Sequence, residues 1–288
     1  MVDKPSGLTS HDVVGRVRRA AGQHRVGHTG TLDPMATGVL VLCLGRATRL
    51  VRFLQDSPKT YAATAVLGIE TDSQDADGEV VATADTPVPE EEVEAALAAM
   101  VGDLQQVPPM VSAVRVGGER LHEVARRGET VDRDPREVTI HELEVTGHDP
   151  GPPQAVSFVV TCSPGTYVRT LAHDAGQALG VGAHLSALRR TRNARWSVDE
   201  AVALDVLKDR AAVEEHLVPA QVALGRVLPS VEVEVETARG LVHGGALPGQ
   251  DVDGPYAVTL DTRLVGVYRD RDGAGRAEVV MLRPEDLE

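Results

Sequence analysis

Cysteine, aromatic residues and long apolar runs are all scarce in this sequence. The 288 residues include two cysteines, Cys43 and Cys162, and both lie in apolar stretches without the spacing of a metal or redox motif. We therefore expect two core residues in a protein of the reducing cytoplasm. The longest strongly apolar run, residues 39–44, is far too short to span a bilayer, and residues 1–5 show no secretion-signal pattern. A membrane protein is excluded on these grounds.

Positive charge is also in short supply, with a formal net charge of −14. This balance argues against a nucleic-acid partner, because phosphate binding needs clustered lysine and arginine. The charge is unevenly distributed, however. Residues 1–60 carry nine basic and four acidic groups, residues 61–110 carry eleven acidic groups and no basic one, and residues 163–197 carry five arginines against one aspartate. We expect the two basic segments to share one face of an otherwise acidic protein.

The length suggests about two domains. Helical spacing of apolar residues predicts helices that begin at a Ser10 cap and end near Gly22, and over residues 89–102 and 167–179. Apolar or alternating segments predict strands, which cover residues 39–44, 61–67, 138–145, 156–162, 231–235, 256–260, 264–268 and 277–282. We expect an α+β fold over residues 1–228, with a mixed, largely antiparallel sheet flanked by helices, and a small, mostly β domain over residues 229–288.

The densest cluster of unusual residues is Gly27-His28-Thr29-Gly30-Thr31-Leu32-Asp33-Pro34-Met35-Ala36-Thr37-Gly38. A loop this rich in small residues lets the backbone approach a ligand, and Pro34 disfavours helical geometry at Asp33. On these local grounds two interpretations stay open. An aspartate before proline is commonly a turn or cap residue, and it is less often a catalytic carboxylate.

This segment closely resembles the catalytic loop of the TruB family, the bacterial tRNA pseudouridine-55 synthases. The likeness extends to five further blocks in the same order, at residues 3–7, 59–61, 71–78, 163–170 and 188–190. The resemblance implies the pseudouridine-synthase fold and an enzyme that replaces the N1–C1′ bond of a uridine in the tRNA T-arm with a C5–C1′ bond. No atom is gained or lost and no redox step occurs, so the resemblance implies neither a cofactor nor a metal.

The resemblance also assigns three catalytic residues. Asp33 matches the nucleophile, which attacks either C1′ of the sugar or C6 of the base. Arg169 matches the arginine that pairs with this carboxylate and keeps it ionised. Tyr61 matches the tyrosine that stacks on the extruded uracil, and we expect its hydroxyl to accept the C5 proton.

Four further residues are assigned to substrate binding. Leu188 is expected to cover the flipped base, and His28 to enter the space that the base leaves. Tyr167 falls in a matched block, as does Tyr61, in a chain with only 2% aromatic residues. Lys4 is placed with them, although Lys4 and the arginines of residues 189–195 are candidates for either phosphate contacts or scaffold.

The resemblance implies a monomer that recognises the T stem-loop of tRNA without a protein partner. Relatives generally have a hydrophobic strand ahead of residues 3–7, so the resemblance leaves the pairing of the N-terminal strand open but not the active site. The C-terminal segment resembles the PUA-like domain of the family less clearly. The alternatives are a related enzyme that acts on another uridine and an RNA-binding module without catalysis, which would have no use for an anion facing phosphates. An aspartyl-phosphate phosphotransferase is disfavoured, because Gly27 occupies the position of its nucleophile.

Overall fold

The computed structural model describes residues 1–112 and 114–287. The strands in these ranges are β1 Val2–Lys4, β2 Val26–His28, β3 Thr37–Leu40, β4 Leu42–Leu44, β5 Lys59–Leu67, β6 Ile69–Thr71, β7 Val80–Thr83, β8 Gly102–Gln106, β9 Arg115–Val116, β10 Glu119–Arg120, β11 Arg136–Asp149, β12 Ala155–Cys162, β13 Ala183–Asn193, β14 Trp196–Ser197, β15 Val202–Ala203, β16 Ser230–Glu232, β17 Leu247–Pro248, β18 Pro255–Leu260, β19 Arg263–Arg271 and β20 Ala274–Val280. The helices are α1 Ser10–Ala20, α2 Val51–Leu54, α3 Glu90–Ala98, α4 Leu121–Ala125, α5 Val168–Ala178, α6 Arg210–Glu215, α7 Ala220–Gly225 and α8 Val235–Val242. None of these helices is long and apolar enough to cross a membrane.

A nine-stranded sheet organises the first part of the chain, in the order β15-β1-β3-β13-β5-β12-β11-β8, with β14 paired to β13. The pairs β1–β15 and β3–β13 are parallel and the other pairs are antiparallel. The expected α+β fold with a mixed, largely antiparallel sheet is therefore confirmed. The N-terminal strand β1 lies inside this sheet, between β3 and β15.

Strand β5 shows how the sequence places the sheet against its helices. Its residues alternate between buried and half-buried positions along the whole strand, as the two-residue period of a strand requires. Tyr61 occupies a buried position, and it shares a core cluster with Val93 of α3 and Leu171 of α5. Each aliphatic side chain buried in this layer contributes about 1.5–3 kcal/mol.

The second sheet has the order β16-β18-β19-β20-β17. It begins at Ser230, close to the expected boundary at residue 229, while the strands of the first sheet end at Ala203. The two sheets share a core cluster that includes Val39 and Trp196 from the first and Val267 from the second. Because this core is common, the division into domains at residue 229 stays a prediction.

The predicted cap of the first helix is wrong by one residue. Thr9 is the N-cap, and its side chain forms a reciprocal capping box with Asp12. Ser10 is instead the first residue of α1 and is buried. Its hydroxyl does not cap the helix and instead bonds to the backbone of Leu32, in the loop between β2 and β3.

Two predicted strands are shorter than expected. The apolar run at residues 39–44 is divided at Val41, whose carbonyl accepts a hydrogen bond from Thr29, so β3 joins the large sheet while β4 pairs with β2. The alternating segment at residues 231–235 ends as a strand at Glu232, because Glu234 caps α8. In both cases an apolar pattern continues across a change of partner, which periodicity alone does not reveal.

We expect a side chain at position 38 to destabilise the protein strongly, because Gly38 pairs with Arg190 in the register of β3 and β13. Its φ is +105°, and a Cβ atom there would overlap the Arg190 backbone carbonyl. Gly22 is the matched control, since its φ is +57° and nothing surrounds it within 4 Å. In urea denaturation we expect Gly22→Ala to lower the free energy of unfolding by about 1–2 kcal/mol and Gly38→Ala by about 3 kcal/mol or more. Equal losses would contradict the close approach of β3 and β13.

Candidate active site

The loop between β2 and β3 carries the aspartate that the sequence nominates, and neighbouring side chains fix its backbone. The Ser10 hydroxyl accepts a hydrogen bond from the Leu32 N–H at 2.8 Å and donates to the Leu32 carbonyl at 3.1 Å. Arg190, which is 0% exposed, donates to the carbonyls of Gly30 and Thr31 at 3.1 and 3.3 Å. The loop is therefore a rigid support for its side chains rather than a mobile connection.

Lys4 lies beneath this loop. Its side chain is fully buried, and Nζ donates to the carbonyls of Pro5, Leu8 and Pro34 at 3.1, 2.5 and 3.2 Å. Burial lowers the pKa of Lys4 to about 8. All three donors are used inside the protein, so the structure does not fit the placement of Lys4 among the substrate-binding residues. It fits the scaffold alternative.

Arg169 connects the loop to two other segments. Its Nε lies 2.9 Å from Oδ2 of Asp33, and Nη2 donates to Oδ1 of Asp33 at 3.1 Å. Nη1 lies 3.1 Å from Oδ2 of Asp75 and donates to the Ser73 carbonyl at 2.8 Å, while Nη2 also donates to the Val111 carbonyl at 2.9 Å. The guanidinium thus makes three hydrogen bonds, to Asp33, Ser73 and Val111, while its Nε–Asp33 and Nη1–Asp75 contacts are ion pairs.

Asp33 shares the Arg169 guanidinium with Asp75, and Lys4 acts on it as a second cation. Desolvation raises the pKa of Asp33 and Asp75 adds to this rise, while Arg169 and Lys4 oppose it. The Asp33 side chain is nevertheless 29% exposed, whereas that of Arg169 is 2% exposed. Asp33 is therefore a reachable carboxylate with a buried counter-ion behind it.

Asp33 lies in the wall of a cleft of about 440 Å³, a volume suited to one nucleotide. Tyr61, Tyr167 and Leu188 line the same cleft. The structure therefore brings four of the seven nominated residues together around one space, with Arg169 directly behind Asp33.

His28 lies beside the cleft rather than in its lining. Its Nδ1 accepts a hydrogen bond from the Gly30 N–H at 3.3 Å, and burial lowers its pKa. The ring is therefore neutral at physiological pH. A neutral, half-buried ring can contact a base without adding charge to the cleft.

The Tyr61 phenol is desolvated in the cleft wall. Burial raises its pKa, and Arg190, which lies opposite it in the pairing of β5 and β13, opposes the rise. The phenol is therefore protonated at neutral pH. It can accept a proton from a substrate only if it passes its own proton on in the same step.

A larger cavity of about 610 Å³ lies away from this site, between α1 and α6. Its walls are mostly apolar and include Val17, Leu50 and Trp196. It offers few polar groups to orient a nucleotide, so the smaller, polar cleft is the better candidate.

Within the described residues, one group has the spacing of a metal site. Ligand atoms of Glu90, Glu94 and His148 lie within 4.8 Å of one another, outside the cleft. Both glutamates are exposed, and exposed acidic groups often reach this spacing without an ion. We assign no metal role to this group.

Two family sequence models match the chain in succession. The model for the TruB family pseudouridylate synthase N-terminal domain matches residues 18–168, and the model for the tRNA pseudouridylate synthase B C-terminal domain matches residues 169–236. The chain belongs to the TruB family. The expected family and its fold are confirmed.

Curated relatives extend the likeness over the full chain. The tRNA pseudouridine synthase B of Thermobifida fusca is 45% identical and covers 97% of both chains, and that of Mycolicibacterium paratuberculosis is 44% identical over 100% of this chain and 98% of the relative. Among solved structures, a Cbf5–Nop10–Gar1 complex aligns with a TM-score of 0.76 at 27% identity, over 99% of this chain and 85% of the other.

Sequence reasoning did not identify all the residues that shape this TruB site. Asp75 lies within the matched block at residues 71–78, but its pairing with Arg169 was not foreseen. Arg189 and Arg190 are candidates for either phosphate contacts or scaffold; Arg190 is buried against the loop, which fits the scaffold alternative, and Arg189 pairs with Asp3 at 2.7 Å. Both arginines are engaged within the protein, so the expected basic face is smaller than the charge count indicated.

The pairing predicts a pH-dependent cost for removing Arg169. Arg169→Met leaves the carboxylates of Asp33 and Asp75 without their shared counter-ion, which we expect to lower the free energy of unfolding by about 3–5 kcal/mol at pH 7. Lowering the pH protonates Asp33, whose pKa is raised, so the difference from wild type should shrink in acid. Urea denaturation at pH 7 and pH 5 measures this. The exposed pair Arg210–Glu214 supplies the control Arg210→Met, for which a loss near zero is expected.

Proposed function

We propose that this chain is a tRNA pseudouridine synthase that isomerises uridine-55 of the T-arm, with Asp33 as its nucleophile. The observation that carries the proposal is the pairing of Asp33 with the buried Arg169 in the wall of a nucleotide-sized cleft. A carboxylate that is partly exposed, desolvated and held by a fixed cation suits nucleophilic attack on an electrophilic carbon. The names of the family models and of the curated relatives support the same reaction.

The reaction breaks the N1–C1′ bond and forms a C5–C1′ bond. In the C1′ route, Asp33 displaces N1 from C1′, the freed base turns, and C5 bonds to C1′ as the carboxylate leaves. In the C6 route, Asp33 adds to C6, the N1–C1′ bond breaks, the base turns and C5 bonds to C1′, and the carboxylate leaves C6 when C5 loses its proton. In both routes the proton on C5 leaves and N1 is protonated, so substrate and product are isomers. Arg169 holds Asp33 in one orientation while it acts as nucleophile and again as leaving group. These steps call for no metal or cofactor.

The target base must leave its stack before Asp33 can reach it, and the cleft walls provide a place for the base. Tyr61 and Tyr167 present aromatic faces, and Leu188 adds an apolar surface. His28, beside the loop, is placed to occupy the space that the base leaves. Tyr61 lies on β5 in the wall of the cleft, and the charge of Asp33 acts on its phenol, so we propose it as the acceptor of the C5 proton.

Recognition of the RNA is proposed to depend on the shape of the T stem-loop. Arg192 lies near the end of the cleft strand β13 and Arg195 follows that strand; both are exposed and can contact phosphates. We further propose that the enzyme acts in the cytoplasm as a monomer, without a protein partner. Its two cysteines are buried and unpaired, which fits a reducing compartment.

The nucleophile is tested by Asp33→Asn. The change removes the attacking anion but almost no volume, so we expect no measurable pseudouridine while T-arm affinity stays within about tenfold of wild type. Tritium release from a minihelix labelled at uracil C5 measures turnover, and filter binding measures affinity.

Asp56 supplies the matched control, because it lies exposed in the same cleft, and Asp56→Asn makes the same change of charge there. This control should retain turnover. Near wild-type turnover by Asp33→Asn would contradict the proposed role of Asp33 as nucleophile. If the wild-type enzyme modified full-length tRNA at another uridine, the target would be different while the chemistry stood.

The role of Tyr61 is tested by Tyr61→Phe, which keeps the ring and removes the hydroxyl. If the hydroxyl accepts the C5 proton, as we expect, the single-turnover rate falls by about 10²–10⁴ while binding is nearly unchanged. If the ring only stacks, the variant stays within a few-fold and Tyr61→Leu is the damaging change, since base stacking contributes about 1–3 kcal/mol. A Phe variant near wild type would end the proton-acceptor role.

A further inference from the structure

The first turn of α5 is held from outside the helix. Tyr167 is the N-cap residue, and its side chain makes no capping hydrogen bond. Instead, the side-chain amide of Gln106 bonds to the Tyr167 backbone on both sides: Oε1 accepts from the N–H at 2.7 Å, and Nε2 donates to the carbonyl at 3.0 Å. Gln106 is 1% exposed and is the last residue of β8. This paired contact satisfies the N–H of the N-cap residue, which is one of the donors that the start of a helix leaves without an intrahelical partner, and it holds the backbone there from both sides.

The segment from Gln106 to Val111 makes a second contact with the start of α5. Val111, five residues after Gln106, offers its carbonyl to Nη2 of Arg169 at 2.9 Å. Arg169 lies two residues beyond Tyr167, about 3 Å farther along the helix axis. Any shift of the helix start therefore moves Arg169 relative to Asp33, and moves Tyr167 relative to the cleft it lines.

We propose that Gln106 is a positioning residue, which fixes the start of α5 so that Arg169 meets Asp33 side-on and Tyr167 faces the cleft. Gln106 touches none of the reacting atoms. Its effect on the reaction passes through the backbone of Tyr167. The rate readout of this proposal rests on the proposed function, whereas its spectroscopic readout does not.

The test compares two glutamines that make the same contact in different places. Gln154 bonds to the backbone of Val88 in the same paired manner, accepting from the N–H at 3.0 Å and donating to the carbonyl at 2.7 Å, and neither residue lines the cleft. Gln106→Met and Gln154→Met each remove two side-chain hydrogen bonds and keep the length of the side chain. Both variants lose stability, so stability alone does not separate positioning from structural support.

Rate and binding are compared first. We expect Gln106→Met to lower the single-turnover rate at saturating minihelix by about 10- to 100-fold with little change in affinity, because small misplacements of catalytic groups are costly. Gln154→Met should stay within about threefold of wild type. If Gln106→Met does not fold, Gln106→Asn keeps the amide one methylene shorter and is expected to lower the rate in the same direction by a smaller factor.

The second readout is the titration of Asp33 in the free protein, followed by carboxyl ¹³C NMR and assigned through Asp33→Asn. Arg169, Asp75 and Lys4 are the charged groups that act on Asp33, and Arg169 lowers its pKa. A displaced Arg169 lowers the pKa of Asp33 less, so Asp33 should titrate at a higher pH in Gln106→Met than in wild type. In Gln154→Met the titration of Asp33 should be unchanged. Equal rates and equal titrations for the two Met variants would overturn the proposal. If the wild type made no pseudouridine, the proposed function would fail, and this titration would still decide the role of Gln106.

Discussion

The buried guanidinium of Arg169 is the group on which the cleft depends. A charged group removed from water is tolerated only when its charge is paired and its donors find acceptors. Arg169 contacts three segments: Asp33 in the loop after β2, Ser73 and Asp75 in the segment after β6, and the carbonyl of Val111 in the segment after β8. These three segments are far apart in sequence. The requirement to satisfy one cation therefore fixes them relative to one another and creates the wall of the cleft.

Sharing the cation between two carboxylates also sets the chemistry of Asp33. An exclusive pair with Arg169 would stabilise the Asp33 anion strongly and depress its basicity, which would weaken it as a nucleophile. Desolvation raises the pKa of Asp33, and the charge of Asp75, which shares the guanidinium, adds to the rise, so the pKa is raised rather than lowered. The carboxylate keeps its orientation without giving up its reactivity. This balance suits the role of nucleophile and leaving group that we propose for Asp33.

Local patterns in the sequence predict much of the fold and part of the site. Alternation along β5 places Tyr61 on the buried face, and helical spacing predicts the helix that carries Arg169. The roles of Ser10 and Gln106 are not predictable in this way, because each bonds to a backbone 22 or 61 residues away. The choice between substrate binding and scaffold for Lys4 is not predictable for a related reason: a sequence shows that a charge is present, whereas its burial depends on the tertiary fold.

Strand pairing, rather than direct contact, sets the distance between Tyr61 and Asp33. Arg190 lies opposite Tyr61 in the register of β5 and β13, and it holds the loop through the carbonyl of Gly30. A slip of one residue along β13 would bring Arg189 to the position opposite Tyr61. Because successive side chains of a strand face opposite sides of the sheet, the Arg190 side chain would then move away from the loop. The register of β5 and β13 therefore determines whether the carboxylate and the phenol line the same cleft.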